Sequence, residues 1–206
     1  MKKYVKNNLP RISIILVSIL IVSYILTLIF SGIKELVVLY PSNLIEPLNW
    51  YRFLTYSLYS GIIQDLIHNC IGIIITGFIL ENKIKKNDLI ILILMSILVG
   101  GLSYAIVSNY DNNNIAIASA VMISWGYISG TIIIGLKHWR TLNLFEKFII
   151  ILSIISVFGI WNAHFGFFMG QLFVCIVTGL FILLKYWRHN GEVSVLVKEL
   201  SEKLNE

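Results

Sequence analysis

Long blocks without charge dominate this chain of 206 residues and constrain its fold more than any other feature. A helix needs about 20 apolar residues to cross the hydrocarbon core of a bilayer, and most of these blocks reach that length. Charged residues make up only 13% of the chain, well below the share that is usual in a soluble globular domain. We therefore predict an all-α polytopic membrane protein. The uncharged blocks are residues 12–33, 66–80, 89–110, 112–136 and 148–184.

The last block is long enough for two helices joined by a tight turn, and Gly159 and Asn162 provide turn-like residues near its middle. Six transmembrane helices are then predicted, in a membrane domain of residues 1–188. Beyond this domain, apolar residues recur at helical spacing among Lys and Glu, so we expect residues 189–206 to form a cytoplasmic amphipathic tail. The predicted spans are residues 12–33, 61–80, 89–109, 115–136, 148–160 and 163–184.

The basic residues indicate how these spans are oriented, because the cytoplasmic flanks of membrane helices carry an excess of Lys and Arg. Of the 16 basic residues, only Lys34 and Arg52 fall on the side opposite the two termini when six spans are counted. Both termini are therefore predicted to be cytoplasmic, in a multi-pass protein of the cell membrane. These flanks account for the net charge of +5, so we expect the lipid bilayer and not nucleic acid as a partner.

The sequence disfavours several other classes of protein. Cys70 and Cys175 each lie in an apolar block, which gives no basis for a disulfide framework or a metal cluster. A zinc protease fits poorly because the chain has no His-Glu-x-x-His motif, and we expect no cofactor and no metal. A transporter is also disfavoured, since no pair of interrupted helices in corresponding halves and no row of intramembrane charges occurs.

Three polar residues that are far apart in the chain fall on the same side of the predicted membrane. If both spans are helical from their outer ends, Ser119 lies about 6 Å deep and Asn69 about 12 Å deep. His164 directly follows the last outer turn. Polar side chains are costly in hydrocarbon, so a nucleophile, a base and an amide donor on one side of the membrane point to a functional site. The combination favours hydrolysis within the bilayer.

Each of these residues also has a more ordinary interpretation. Ser119 can hydrogen-bond to its own backbone, His164 can be a buried packing residue, and Asn69 can join neighbouring helices. Gly126 and Gly130 fall on one helical stripe with Ser119, which equally fits a close-packing face with an incidental serine. The functional interpretation therefore depends on the three residues together.

Asp65 is a second unusual residue, because it places a carboxylate in the predicted second span. It lies four residues before Asn69 and so on the same helix face, one turn nearer the outer side. We expect a structural carboxylate at the interface, hydrated or paired with His68. The other role considered is a protonated carboxyl group that donates a hydrogen bond to the chemistry.

Several motifs follow one another between residues 50 and 170. Trp50-Tyr51-Arg52 is followed by Asn69, Gly77 and Glu81 at helical spacing, and the downstream segments are Ala118-Ser119-Ala120 and Ala163-His164-Phe165-Gly166. In this order the motifs resemble the first loop, the second helix, the nucleophile segment and the Ala-His segment of rhomboid intramembrane serine proteases. The resemblance implies a six-transmembrane-helix rhomboid-like bundle with cytoplasmic termini.

The resemblance also implies a role for each matching residue. Ser119 would be the nucleophile and His164 the general base of a Ser-His dyad. Asn69 would donate to the oxyanion of the tetrahedral intermediate, and Arg52 would be a modulator in the first loop. The protein would be a serine endopeptidase that opens to the outer face and cleaves the transmembrane helices of membrane protein substrates.

Some positions depart from the family pattern. Ile117 and Ala120 replace the glycines that usually flank the serine, and Asp65 and Ser60 stand where helix-two histidines are frequent. An ionised Asp65 would repel a developing oxyanion and so act as a second modulator. The alternative function is therefore a proteolytically inactive rhomboid-like protein that binds transmembrane clients.

Overall fold

Six helices of 15 residues or more form the bundle, as seen in a computed structural model that describes residues 9–111, 115–158 and 165–187. Within these residues the protein is all-α, and its one β-bridge joins Leu39 to Ile117. The predicted all-α class is thus confirmed. The long helices are α1 (Arg11–Ile29), α2 (Ile63–Lys83), α3 (Lys86–Tyr110), α4 (Val121–Lys137), α5 (Leu144–Phe158) and α6 (Phe165–Ile182).

Four helices in the described part of the chain are long and apolar enough to cross a membrane. They are α1, α2, α3 and the helix Phe165–Tyr186, which extends α6 through a π-helical turn at Leu183–Trp187. The helix α4 is apolar but has only 17 residues, and α5 has 15. The composition and length of these helices are those of a membrane protein.

The fourth predicted span is wrong at its start. Residues 115–136 were expected to be one helix, but α4 begins at Val121. The backbone of residues 115–118 bonds to other parts of the chain and not within a helix: Leu39 and Ile117 exchange two bonds, and Gly61 N–H donates to the Ala118 carbonyl. The first span also ends earlier than predicted, because Phe30 is extended and closes α1.

Two further expectations fall on residues outside the described ranges. The turn at Gly159 and Asn162 is one of them, and the amphipathic tail of residues 189–206 is the other. Both stay predictions.

The helix α4 lies at the centre of the bundle and packs against α2, α3, α5 and α6. Its glycines permit the closest approach, as the predicted stripe suggested. A Cβ atom on Gly126 would lie 1.8 Å from Ser96 Oγ, and one on Gly130 would lie 3.0 Å from Leu92 Cδ1. Small residues of this kind let membrane helices pack closely. The fully buried Met122 fills the space between α3 and α6.

Alternate helices of the bundle run in the same direction, which the contacts at its two ends establish. At one end Asp65 of α2 meets Ser119 before α4, and Gly166 of α6 packs on Ser108 near the end of α3. At the other end the Tyr186 hydroxyl donates to Asp88 Oδ2 at 2.5 Å. Thus α2, α4 and α6 all begin at the end that contains Ser119.

Basic residues are fixed at the opposite end. Lys185 forms an ion pair with Asp88, and the Lys137 ammonium group donates to the Tyr186 carbonyl. The Lys85 N–H donates to the Tyr186 hydroxyl at 2.8 Å. These bonds tie the last turns of α4 and α6 to the first turn of α3.

The connection between α1 and α2 is long and mixes buried anchors with exposed apolar residues. The buried Tyr56 donates to the Ile97 carbonyl at 2.8 Å and packs with Phe53 over Gly101 of α3. Complete burial raises the pKa of Tyr56 above its ordinary value, so its phenol stays protonated and keeps donating. Leu48 in the same connection, by contrast, is 92% exposed.

The carboxylate of Glu81 caps the start of α1 from a neighbouring helix. It accepts hydrogen bonds from the Ile12 N–H at 3.0 Å, the Ser13 N–H at 2.7 Å and the Ser13 hydroxyl at 2.7 Å. Pro10 precedes this helix and provides no side-chain cap. Since the first N–H groups of a helix have no partner within it, Glu81 supplies the acceptors that they need.

Replacing Glu81 by Ala is expected to lower the free energy of unfolding by about 2 kcal/mol, since partly buried N–H groups lose their acceptor. Denaturant unfolding of the purified protein in detergent measures this change. The control is Asn82→Ala, because the exposed Asn82 donates to the Phe78 carbonyl of its own helix. Equal losses for the two variants would contradict the capping role.

Candidate functional site

Ser119 lies at the end of an extended segment that is held on both sides. The Ile117 N–H donates to the Leu39 carbonyl at 2.8 Å, and the Ile117 carbonyl accepts from the Leu39 N–H at 3.0 Å. The next carbonyl, that of Ala118, accepts from the Gly61 N–H at 3.2 Å. Ser119 is only 3% exposed. The backbone just before the serine is therefore fixed by two separate parts of the connection between α1 and α2.

The serine also marks the start of α4. Its Oγ accepts a hydrogen bond at 3.2 Å from the N–H of Val121, the first residue of α4. The free N–H groups at the start of a helix carry partial positive charge, which stabilises a negative charge placed near them. The hydroxyl thus lies where an alkoxide or a tetrahedral oxyanion would be favoured.

Asp65 and Asn69 reach the same oxygen from α2. They are four residues apart and so lie on one face of this helix. The Ser119 hydroxyl donates to Asp65 Oδ2 at 2.9 Å. The Asn69 amide donates to Ser119 Oγ at 3.5 Å, at the long limit for a hydrogen bond. The sequence prediction that Asn69 and Ser119 lie near each other agrees with this geometry.

These contacts use every hydrogen-bonding position of the Ser119 hydroxyl. A hydroxyl has one proton to donate and two lone pairs that accept. The proton goes to Asp65, and the lone pairs receive the Asn69 amide and the Val121 N–H. The resting serine is therefore held in one orientation, with its proton on the Asp65 side.

Ser124 is a site residue that the sequence did not reveal. Its hydroxyl donates to Asn69 Oδ1 at 2.8 Å, and it is buried. By binding the amide oxygen, Ser124 turns the amide NH₂ group of Asn69 towards Ser119. Nothing in the spacing of the two residues along the chain links them, because the contact depends on how α2 packs on α4.

Asp65 does not form the predicted pair with His68. The His68 Nδ1 instead lies 2.8 Å from the Gln64 carbonyl one turn earlier, and its ring is exposed. Asp65 instead accepts from the Ser119 hydroxyl across the interface between the two helices. Asp65 is therefore part of the site around Ser119.

Arg52 contacts the backbone near the site. Its Nη1 donates to the Val38 carbonyl at 3.1 Å, and its guanidinium group lies 5.8 Å from the centre of the Tyr51 ring. Val38 directly precedes Leu39, which pairs with Ile117. Arg52 thus binds next to the strand-like contact that holds the segment before Ser119, and its role as a modulator stays a prediction.

His164 lies outside the described residues, so the predicted Ser-His dyad stays a prediction. The helix that follows it is described: α6 begins at Phe165 and Gly166 packs against Ser108. A Cβ atom on Gly170 of α6 would lie 2.7 Å from Cε of Met122, and Met122 is three residues after Ser119 in the chain. The start of α6 is therefore packed close to the start of α4.

The described residues contain no group of three His, Cys, Asp or Glu side chains that could hold a metal ion. Both cysteines are free thiols. The chemistry that this part of the site offers is thus that of a buried hydroxyl with an amide donor and a carboxylate beside it.

Comparison with known protein families and with curated proteins finds no match to the sequence of this chain.

Proposed function

We propose that this protein is a rhomboid-like intramembrane serine endopeptidase of the cell membrane. In this proposal Ser119 is the nucleophile, His164 is the general base and Asn69 donates to the oxyanion. The observation that carries it is the buried Ser119 Oγ, fixed at the start of α4 and within reach of an amide that Ser124 orients. The order of motifs along the chain supports the same assignment.

The reaction would proceed by acyl transfer. Ser119 Oγ attacks the carbonyl carbon of the scissile peptide bond while its proton moves to the imidazole of His164. The oxyanion accepts from the Asn69 amide. The intermediate collapses when the C–N bond breaks and the imidazolium ion protonates the leaving amine. Water then attacks the acyl-enzyme, which releases the new carboxyl end and returns the proton to Ser119.

The proposal includes six spans with both termini in the cytoplasm. The parallel course of α2, α4 and α6 supports it, as does the group of Lys85, Lys137 and Lys185 at the end opposite Ser119. Reporter fusions at residue 1 and residue 206 are expected to be cytoplasmic, and a fusion in the connection near Leu48 is expected to be external. A cytoplasmic signal from the fusion near Leu48 would contradict this orientation.

The long connection between α1 and α2 also fits a position in the lipid headgroup region at the outer face of the cell membrane. Apolar side chains extend from it, since Ile45, Leu48 and Trp50 are 76%, 92% and 58% exposed. Tryptophan and apolar side chains are favoured at the level of the lipid headgroups. We infer that the substrates are single membrane-spanning helices, which reach Ser119 from the bilayer at this depth.

A second candidate is a protein that binds transmembrane clients without cleaving them. The bond from Ser119 to Asp65 favours it, because the carboxyl group holds the proton of the nucleophile at 2.9 Å and so opposes its transfer to another base. A client-binding protein needs no functional oxyanion site.

Hydrolysis decides between the two candidates. The purified protein in liposomes is mixed with a single-span membrane protein, and the new termini are identified by mass spectrometry. Cleavage that requires Ser119 supports the protease. Stable capture of the intact span without cleavage would favour the client-binding protein.

A further inference from the structure

Basic side chains from several helices meet around Tyr186, at the end of the bundle where α4 and α6 finish. The Tyr186 hydroxyl accepts from the Lys85 N–H at 2.8 Å, and the Tyr186 carbonyl accepts from the Lys137 ammonium group. The Asp88 carboxylate binds both the Lys185 ammonium group and the Tyr186 hydroxyl. The charge of Lys85 also acts on Asp88. Three lysines from different helix ends therefore lie around one tyrosine.

A fourth lysine reaches the same group from the end of α2. His138 directly follows α4, and burial together with the charges of Lys83 and Lys137 lowers the pKa of His138 below its ordinary value. His138 is thus neutral near neutral pH and adds no charge of its own. Lys83 is the last residue of α2. The basic cluster is defined here as Lys83, Lys85, Lys137 and Lys185.

The carboxylates at this end leave most of the basic cluster without a counterion. In the part of the chain that the structure describes, the only ion pair joins Lys185 to Asp88. Glu81 accepts from the first N–H groups of α1, and Glu146 accepts at 2.9 Å from a backbone N–H just before its own helix. The other three lysines of the cluster therefore have no carboxylate partner among the described residues.

Exposed apolar side chains lie next to the basic cluster along the chain. Leu136 precedes Lys137, Leu184 precedes Lys185, and Trp139 follows within the same turn after α4; all three apolar side chains are exposed. Tryptophan is enriched where membrane helices reach the lipid headgroups. A group of lysines bordered by exposed apolar side chains matches the two parts of a phospholipid, which are its phosphate and its acyl chains.

We propose that the basic cluster binds the head group of an anionic phospholipid in the membrane leaflet at this end of the bundle. The phosphate accepts charge-assisted hydrogen bonds from the ammonium groups of Lys83, Lys85 and Lys137. Charge complementarity selects this occupant, because basic pockets between the ends of membrane helices bind acidic head groups. The bound lipid joins the ends of α2, α3 and α4. Lipid binding at this cluster is independent of Ser119 and of any hydrolysis.

The same lysines also contribute to the orientation of the protein in the membrane. That role depends on the number of basic residues on one side and not on their contacts with one another. The two roles are separated by removing equal charge at different positions. Lys83 and Lys137 belong to the basic cluster, whereas Lys86 and Arg140 are exposed residues at the same two connections between helices.

Native mass spectrometry of the full-length protein measures lipid binding directly. The protein in neutral detergent is titrated with phosphatidylglycerol or with phosphatidylcholine of the same acyl chains, so that the two lipids differ only in the head group. The wild type is expected to bind phosphatidylglycerol more tightly. A lysine near a membrane surface contributes roughly a factor of five, so Lys83→Gln with Lys137→Gln is expected to weaken this binding about 25-fold.

The matched control is the double variant Lys86→Gln with Arg140→Gln, which removes the same charge at the same two connections. It is expected to bind phosphatidylglycerol within about twofold of the wild type. Lys137→Gln also loses the bond to the Tyr186 carbonyl, so thermal unfolding checks that the first double variant is folded. Lys83 makes no hydrogen bond in the described residues, and Lys83→Gln alone is expected to weaken binding about fivefold.

Three results would overturn this site. Equal weakening in the two double variants would mean that the lysines attract anionic surfaces only in general. Displacement of phosphatidylglycerol by millimolar glycerol phosphate would assign the cluster to a soluble phosphate compound. Binding that occurs only after Glu192, Glu199 and Glu202 are replaced by Gln would assign the cluster to the end of the chain itself. None of these measurements uses a protease substrate, so the proposed protease function stands or fails separately.

Discussion

Replacing Ser119 by Ala is expected to reduce peptide-bond hydrolysis at least about 1,000-fold, to background, because the substitution removes the atom that forms the acyl-enzyme. The variant also loses the three hydrogen bonds of this hydroxyl, with the Val121 N–H, Asp65 and Asn69. Their loss destabilises the fold by about 2 to 3 kcal/mol, which is expected to leave a helix packed on four neighbours folded. Cleavage of a single-span substrate in liposomes, followed over time by gel electrophoresis, measures the rate.

Ser129→Ala is the matched control for Ser119→Ala. Ser129 is a buried serine of the same helix, and its hydroxyl donates to the Cys175 carbonyl at 2.8 Å, away from Asp65 and Asn69. Its replacement is expected to leave hydrolysis unchanged. His164→Ala should lose as much activity as Ser119→Ala, since groups that act as one unit are not additive. Hydrolysis that persists in Ser119→Ala would exclude this serine as the nucleophile.

The bounds of α2 and α3 could be predicted from the sequence to within a few residues, because the length of each apolar block sets them. Residues 61–80 were expected for the second span and α2 runs Ile63–Lys83, while residues 89–109 were expected for the third and α3 runs Lys86–Tyr110. Each helix extends beyond its own uncharged block at the end of the bundle where the basic residues lie. Asp88 is tolerated within the first turn of α3 because Lys185 and Tyr186 bind it, a pairing that only the fold provides.

The start of α4 could not be predicted in this way. Residues 115–120 are as apolar as the helix that follows, so composition and length favour a helix throughout. The competing interactions come from distant parts of the chain, since Leu39 and Gly61 bind the backbone of Ile117 and Ala118. Hydrophobic periodicity contains no information about such bonds. The depth inferred for Ser119 from a helical rise therefore has no structural basis, although the serine does lie beside Asn69.

The candidate site was predicted in part. Ser119 and Asn69 were expected together from their depth, and a hydrogen bond joins them. The contact between Asp65 and Ser119 was not expected, because spacing along a helix suggested His68 as the partner and the approach of α4 was unknown. Ser124 was missed for the same reason. The partnership of Ser119 with His164 stays a prediction.

Replacing Asn69 by Ala is expected to lower kcat by about 100-fold to 1,000-fold and to leave KM nearly unchanged, because a donor that serves the oxyanion acts only in the transition state. The resting amide supports this expectation, since its 3.5 Å contact with Ser119 Oγ is too long to stabilise the ground state much. In the tetrahedral intermediate the oxyanion is two bonds from this oxygen and becomes the better acceptor. Steady-state kinetics on a single-span substrate measure both constants.

Ser124→Ala separates this role from simple packing. The substitution removes the hydroxyl that binds Asn69 Oδ1 at 2.8 Å but keeps the amide itself, so kcat should fall by about tenfold, less than in Asn69→Ala. Thermal unfolding of the two variants reports how much each loses in stability. If Asn69 were only a link between α2 and α4, both variants would lose stability and raise KM, and kcat would follow the folded fraction. A drop in kcat at full folding is therefore the result that assigns the amide to the oxyanion.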